Sequence, residues 1–343
     1  MRKNSLRFWK NKKVLITGHE GFLGSHLTGE LRKFGAKIIG LDIAKQRKDS
    51  IFKDGKAKIG SIRGDVANLA LVRKVIELYK PEIIFHLAAQ AIVGEAVNKP
   101  IRTFKSNIEG TWNILEASRG KRFIEGIVLA SSDKAYGSHK KLPYKEEMPL
   151  KGVYPYDVSK SCADLLAYSY FKTYQVPVCV TRCGNIFGPG DLHFSRIVPE
   201  AIRSVIKNDG FVIRSDGKFT RDYIYVEEVV RGYILLAERM RRLKLFGQSF
   251  NFSKGKPLTV LELFRKITKI SGTYSLKPKI LNKVKCEIKH QYLSSKKAQK
   301  ILSWKANLTL DNGFRKTMEW YKDYFDNSGG KRRRSLKEGK KKI

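Results

Sequence analysis

The chain has 343 residues, 42% of them hydrophobic, with 69 Lys and Arg against 32 Asp and Glu and a formal net charge of +37. That length supports one large core or two packed domains, and the charge favours anionic partners such as nucleotides, phosphates and non-specific nucleic acid. The sequence lacks an apolar run long enough to span a bilayer, and the basic first ten residues lack the apolar core of a secretion signal.

In chain order, residues 14–17 read as a short buried strand, 18–24 as a tight turn and 25–34 as the first helix. Residues 37–41 form the next strand, ending at Asp42. Residues 59–62 lead to Asp65, and 69–79 carry apolar positions at helical spacing, stopped near Pro81. A strand over 82–87 follows, then a helix over 101–117 with Phe104, Ile108, Trp112 and Leu115 on one stripe, and a strand over 126–130. A long helix over 157–174 stops before Pro177, and 178–181 returns to the sheet. Beyond the Gly188-Pro189-Gly190 loop the rhythm weakens: helix over 197–206, strand over 211–213 and helix over 226–240, with 258–267 and 310–324 completing the pattern. Strands alternating with helices predict an α/β, Rossmann-like, doubly wound parallel sheet with a smaller C-terminal substrate lobe. The expected division is a basic extension (1–11), a nucleotide-binding domain with the chemistry (12–180), a substrate lobe with segments returning to the first domain (181–325) and a basic unstructured tail (326–343).

Gly18-His19-Glu20-Gly21-Phe22-Leu23-Gly24 lies between a hydrophobic strand and a helix. Glycines there let backbone approach a pyrophosphate while helix N–H groups face its charge, so Gly18, Gly21, Phe22, Leu23 and Gly24 are assigned to a dinucleotide. Asp42 closes the second strand, where a carboxylate accepts from a ribose 2′-hydroxyl and repels a 2′-phosphate. NAD is therefore expected over NADP, with nearby Arg47 and Lys48 arguing the other way. Asp65 and Val66 are placed at the adenine, or Asp65 at a helix N-cap. Leu87, Ala88 and Ala89 are small enough after a strand for the cofactor to pass. His19 reads as a structural loop residue, and Glu20 has no evident role beside a diphosphate.

Tyr156 and Lys160 stand at i and i+4, on one helical face. A lysine cation favours the phenolate of a neighbouring tyrosine, which then removes a hydroxyl proton. Ser132, at the end of the strand over 126–130, can hold the same oxygen. Asp133 and Lys134 add a carboxylate and an ammonium beside it. The four cysteines are scattered. Cys179 and Cys183 have CxxxC spacing, but without a second pair or a histidine cluster they read as inert thiols and no metal is expected.

In these motifs the chain resembles the extended short-chain dehydrogenase/reductase family over residues 10–325: the glycine loop, His86-Leu87-Ala88-Ala89, Ser131-Ser132 and Tyr156-Lys160 match in order and spacing. The Asp133-Lys134 pair, with Gly18-His19 and Gln90, is similar to nucleotide-sugar 4,6-dehydratases, most of all the CDP-glucose type. The resemblance implies that Tyr156 deprotonates a hexose C4 hydroxyl, Asp133 protonates the departing C6 hydroxyl, and Lys134 either removes the C5 proton or polarises the intermediate. It implies substrate contacts at Gln90, Asn185, Arg196 and Arg221, with Arg221 the stronger phosphate ligand. It also implies a homodimer paired through the helices over 101–117 and 157–174. The missing membrane span and secretion signal, with few cysteines, give the expectation of a cytoplasmic protein, and with no zinc finger, helix-turn-helix or stacking module beside the basic tail no specific nucleic-acid binding is expected. A nucleotide-sugar 4-epimerase shares all of this except the need for Asp133, and a nucleotide- or RNA-binding protein on the same fold is the alternative that the basic tail motivates.

Overall fold

The computed structural model describes residues 2–44, 60–284 and 287–339. Arg47, Lys48, Ile59 and Cys286 lie outside these residues.

Six strands appear close to their expected places: β1 (Lys13–Thr17), β2 (Lys37–Asp42), β3 (Gly60–Arg63), β4 (Ile83–His86), β5 (Gly126–Ala130) and β6 (Val178–Cys183). A seventh, Ser249–Phe252, joins the edge beside β6, giving the order Ser249–Phe252, β6, β5, β4, β1, β2, β3. Every pairing in this sheet for which a register is given is parallel. The strand order reverses between β1 and β4, and the carboxyl ends of β1, β2, β4 and β5 share one edge. That crevice is where open α/β sheets bind ligands.

Both faces are buried, which is why the strands read as continuous apolar runs rather than alternating ones. Val14, Ile16, Phe85 and Val128 point into one core with Leu27, Leu31 and Leu235. Leu15, Ile39, Ile84 and Ile127 point into the other with Val72, Ile114 and Ala163. This is the period-two division of a strand between two layers.

The helices up to residue 174 are α1 (Arg2–Trp9), α2 (Phe22–Lys33), α3 (Leu69–Tyr79), α4 (Val93–Asn98), α5 (Pro100–Phe104), α6 (Gly110–Ser118) and α7 (Pro155–Tyr174). Three features differ from the sequence reading. The segment expected as a mere extension contains α1, whose Trp9 is fully buried and donates its Nε1–H to Glu238 Oε1 at 2.7 Å. Helix α2 starts at Phe22 rather than residue 25, because Gly21 is its N-cap and the loop turns directly into the helix. The helix expected over 101–117 is interrupted by a π-helical stretch, Lys105–Glu109, between α5 and α6.

Contacts divide the chain into two units. The first comprises Met1–Ile186, Thr220–Pro257 and Cys286–Ala306, and the second Phe187–Phe219, Leu258–Lys285 and Asn307–Ile343. Within the second, strand Phe211–Ile213 pairs in parallel with Pro278–Ile280. Helix Val260–Ser271 opens on a Thr259/Glu262 capping box, and the Phe211 and Phe264 rings stack at 4.4 Å. Helix Leu310–Gly339 runs on past residue 325, where the sequence reading expected an unstructured tail. The Lys, Arg, Leu and Glu of that stretch are good helix formers.

Candidate active site

The glycine loop has no room for side chains. Gly18 sits at φ +72°, and a Cβ on it would lie 2.8 Å from the Ala88 nitrogen. A Cβ on Gly24 would lie 2.0 Å from the Gly18 carbonyl oxygen, so loop and helix close on each other through glycine alone. Helix α2 begins with no side-chain cap, leaving its first N–H groups to an anion. Phe22 and Leu23 are half-buried in that first turn. Asp42 at the end of β2 accepts from the Glu20 amide at 3.0 Å through Oδ2 and from the Ala44 amide at 2.9 Å through Oδ1. The carboxylate is thereby fixed beside the loop.

His19 is fully buried, with Nε2 3.0 Å from Ser61 Oγ and 3.4 Å from Glu20 Oε1. Its ring fills the space where a Cβ on Gly40 would come within 2.4 Å. The histidine fills space inside the fold, and Glu20 is buried beside it. Asp65 does not cap α3: Asn68 does, accepting from the Leu71 amide at 3.0 Å. Asp65 is exposed and closes a turn onto the Ala67 amide at 2.9 Å, while Val66 is buried against Gly110.

After β4, the Thr17 hydroxyl accepts from the amides of Leu87 and Ala88, both at 3.2 Å. Its proton is then left for His86 Nδ1 at 2.8 Å. Burial, with Lys160 nearby, lowers the His86 pKa to about 3, so the ring is neutral. Its Nε2–H therefore faces Thr111 Oγ1 at 3.3 Å, and Thr111 donates to the Asn107 carbonyl at 2.7 Å in the π-helical stretch. Asn107 is buried, accepts from the Gln90 amide at 2.7 Å and donates to Ser159 Oγ at 2.9 Å, linking the end of β4 to the helix that carries Tyr156. Ala89 and Gln90 are half-buried. The Gln90 amide donates to Ile92 O and Glu95 Oε2, both at 3.1 Å, so its side chain is committed to local turns rather than held open.

Strand β5 ends at Ala130, whose carbonyl accepts from Lys160 Nζ at 2.9 Å. This anchors the ammonium with its nitrogen 6.0 Å from the centre of the Tyr156 ring. Burial lowers Lys160 to about 8, opposed by Asp164 one turn on. Helix α7 begins at Pro155 in its first turn, where a missing N–H costs nothing, so Tyr156 lies in the opening turn. Ser132 caps a short 3₁₀ turn, Asp133–Tyr136, accepting from the Lys134 amide at 3.2 Å and donating to Asp133 Oδ1 at 3.1 Å. Asp133 and Lys134 are both buried, so they are not a surface pair. Burial pushes Asp133 up despite Lys134 beside it. Burial and then Arg221 push Lys134 down.

Gln291 is a site residue that the sequence reading missed. It is fully buried, its Nε2 donates to Asp133 Oδ2 at 2.5 Å, and its Oε1 accepts from Lys134 Nζ at 3.1 Å. In sequence Asp157 marks only the start of a helix. It is buried with Oδ1 unpartnered, and burial raises it to about 6, Lys134 opposing and Asp133 adding. Arg221 is buried. Its Nη2 donates to Glu287 Oε1 at 2.5 Å and its Nη1 to the Thr220 and Lys289 carbonyls at 2.9 and 3.0 Å, so its guanidinium already holds a carboxylate. Asn185 is half-buried, with its amide on the Asp222 carbonyl at 2.8 Å. Arg196 belongs to the second unit, where it pairs with Asp191 at 3.0 Å.

Cys179 and Cys183 stand four residues apart along β6, roughly 13 Å, too far to share an ion. Burial pushes both thiols up to about 12. No cluster of metal-ligating side chains exists among the described residues.

Residues 14–251 match the family model described as "NAD dependent epimerase/dehydratase family". A CDP-glucose 4,6-dehydratase of Salmonella typhimurium is 33% identical over 260 residues, 72% of this chain and 71% of that one. A dTDP-D-glucose 4,6-dehydratase of Bos taurus is 26% identical over 332 residues, 92% of this chain and 90% of that one. Among solved structures, a UDP-glucose 4-epimerase of Thermotoga maritima superposes with a TM-score of 0.83 at 26% identity, covering 91% of this chain and 99% of that one.

Proposed function

The chain belongs to the NAD dependent epimerase/dehydratase family, and we propose that within it the protein is a nucleotide-sugar 4,6-dehydratase, with CDP-glucose the favoured substrate. The family's cofactor fits these residues: the Gly18–Gly24 cradle would be filled by a single Cβ, α2 presents uncapped N–H groups, and Asp42 stands where a ribose hydroxyl would meet it. NAD, when bound, supplies a reversible hydride acceptor that is not consumed over the whole reaction.

The chain's own groups do the proton chemistry in this reading. Tyr156, with Lys160 beside it and Ser132 at the neighbouring strand end, takes the proton of the hexose C4 hydroxyl. A carbonyl at C4 makes the C5 proton acidic. Loss of that proton with departure of the C6 hydroxyl, protonated by Asp133, releases one water and leaves a C5=C6 bond, which is saturated by return to C6 of the hydride taken from C4 and of a proton to C5. Lys134, held down by burial, is the cation nearest Asp133 on the chain and polarises the intermediate or accepts the C5 proton. Asn185, Gln90, Arg196 and Arg221 remain proposed substrate contacts. For Arg221, a diphosphate would share or replace Glu287.

The observation that carries the dehydratase reading is Asp133: a buried carboxyl with a raised pKa, hydrogen-bonded to Ser132. The superposition on a 4-epimerase favours the second reading, a nucleotide-sugar 4-epimerase. Mass spectrometry of products from CDP-, GDP-, dTDP- and UDP-hexoses separates them. A product lighter by one water with no net reduction of NAD supports dehydration, and a C4-inverted sugar of unchanged mass refutes it.

We also propose a homodimer. Ile101 and Trp112, on the helix running through α5 and α6, and Leu165 and Tyr168 on α7 are 71, 41, 59 and 52% exposed. These helices pack on one another, so the apolar side chains lie on paired helices. No helix among the described residues is long and apolar enough to cross a membrane. A cytoplasmic location is part of the same proposal.

A further inference from the structure

Gln291 lies far from both catalytic motifs in sequence, yet its side-chain amide bridges the carboxylate of Asp133 and the ammonium of Lys134 through hydrogen bonds at 2.5 and 3.1 Å. Its orientation is settled by chemistry. An ammonium only donates, so Oε1 must face Lys134, and Nε2 must then face Asp133. The segment around it is tied down on both sides. The Gln291 amide donates to Thr220 O at 3.3 Å, the Tyr144 amide to Tyr292 O at 2.9 Å, and the Leu293 amide to Asp222 Oδ2 at 3.2 Å.

We infer that Gln291 is a positioning residue that assigns the transferable proton of Asp133 to Oδ1, the oxygen facing Ser132. A proton on Oδ2 would point at an N–H donor 2.5 Å away and lose that bond. A proton on Oδ1 needs only that the Ser132 hydroxyl turn from donor to acceptor. Gln291 thus leaves Oδ1 as the oxygen that carries the acid proton, on the side of the strand end that carries Ser132, while it keeps Lys134 hydrogen-bonded. The inference rests on the dehydratase reading for the use of this proton, and on the geometry alone for its location. The charged or titratable groups that share the Asp133 surroundings are Lys134, Arg221, Asp157, Asp222, Tyr144 and Cys183.

The test compares wild type, Asp133→Asn, Gln291→Met and Gln291→Glu as NAD-loaded proteins. Gln291→Met removes both hydrogen bonds with little change of volume, and Gln291→Glu keeps an acceptor for Lys134 but no donor for Asp133. The first readout is pH-difference infrared spectroscopy of the carboxylic-acid band that Asp133→Asn abolishes. Loss of a charge-assisted donor should move its midpoint upward by about one to two pH units in both Gln291 variants. The second is rapid-mixing absorbance with CDP-glucose, in which Gln291→Met should slow elimination by about 10²-fold, so that reduced cofactor accumulates as it does not in wild type. A midpoint within a few tenths of a unit of wild type in both variants overturns the inference. So does wild-type elimination kinetics in Gln291→Met. If wild-type protein eliminates from no hexose while the infrared midpoint still moves, the positioning role stands and the dehydratase reading fails instead.

Discussion

Replacing Asp164 with Asn should both loosen the fold and change the pH range in which Lys160 works. Asp164 lies on the helix carrying Tyr156 and Lys160, and it grips the buried Arg182 at 2.8 to 3.3 Å through three hydrogen bonds. The two side chains are only 7 and 3% exposed. Arg182 continues to the Tyr136 hydroxyl at 2.8 Å, which donates to Asn251 at 2.9 Å. Asp164→Asn leaves a guanidinium buried without its counter-ion, a change that costs about 3–5 kcal/mol. Replacing the pair by Leu and Met removes the charge along with its partner. It should recover all but about 1 kcal/mol, the residue of the lost Arg182–Tyr136 bond. The catalytic effect differs in kind. Asp164 raises the Lys160 pKa against burial, which alone would take it below about 8. The ammonium supports the Tyr156 phenolate only while protonated, so activity falls as pH rises through the Lys160 value. Without Asp164 that alkaline limb moves toward neutrality in the single and the double variant alike. Urea unfolding and a pH–rate profile measure the two effects. A single variant that loses less than about 1 kcal/mol, or a limb that stays in place, refutes the coupling of Asp164 to fold and lysine.

Two further outcomes follow from the packing. Gly24→Ala puts a Cβ 2.0 Å from the Gly18 carbonyl, where only backbone is available to yield. Purified protein should lose its NAD, read as the ultraviolet absorbance of the bound adenine. The control Gly94→Ala, which meets nothing within 4 Å, should keep it. A Leu165→Glu variant places a charge on an exposed apolar position of α7 and should run as a monomer in light scattering if the proposed dimer uses that helix. An unchanged dimer would direct attention to another face.

Local patterns carried most of the fold. The apolar runs of β1, β4 and β5 read as strands because both faces are buried, and the glycine loop was recognisable from its strand-turn-helix setting. The seventh strand, Ser249–Phe252, was missed: four residues with an asparagine among them give almost no period, and its place comes from pairing with β6. Trp9 looked like part of a basic extension because nothing local shows that a pocket awaits it. Within the candidate site, Ser132, Tyr156 and Lys160 were legible from spacing along one strand end and one helix. Gln291, 158 residues from Asp133, was not, since a lone glutamine has no motif and its meaning lies wholly in what the fold brings to it. Asn107 was hidden similarly, in a π-helical stretch that hydrophobic spacing read as ordinary helix.

The most direct measurement is the product formed from CDP-glucose by wild type and by Asp133→Asn, with reduced cofactor followed by absorbance in the same reaction. Wild type should give a 4-keto-6-deoxy sugar lighter by one water with NAD unchanged at the end. Asp133→Asn should retain NAD and still oxidise C4, yet release dehydrated product about 10²-fold or more slowly, the usual worth of a general acid. A C4-inverted hexose of unchanged mass from wild type, or dehydration by Asp133→Asn at the wild-type rate, would contradict the role given to Asp133.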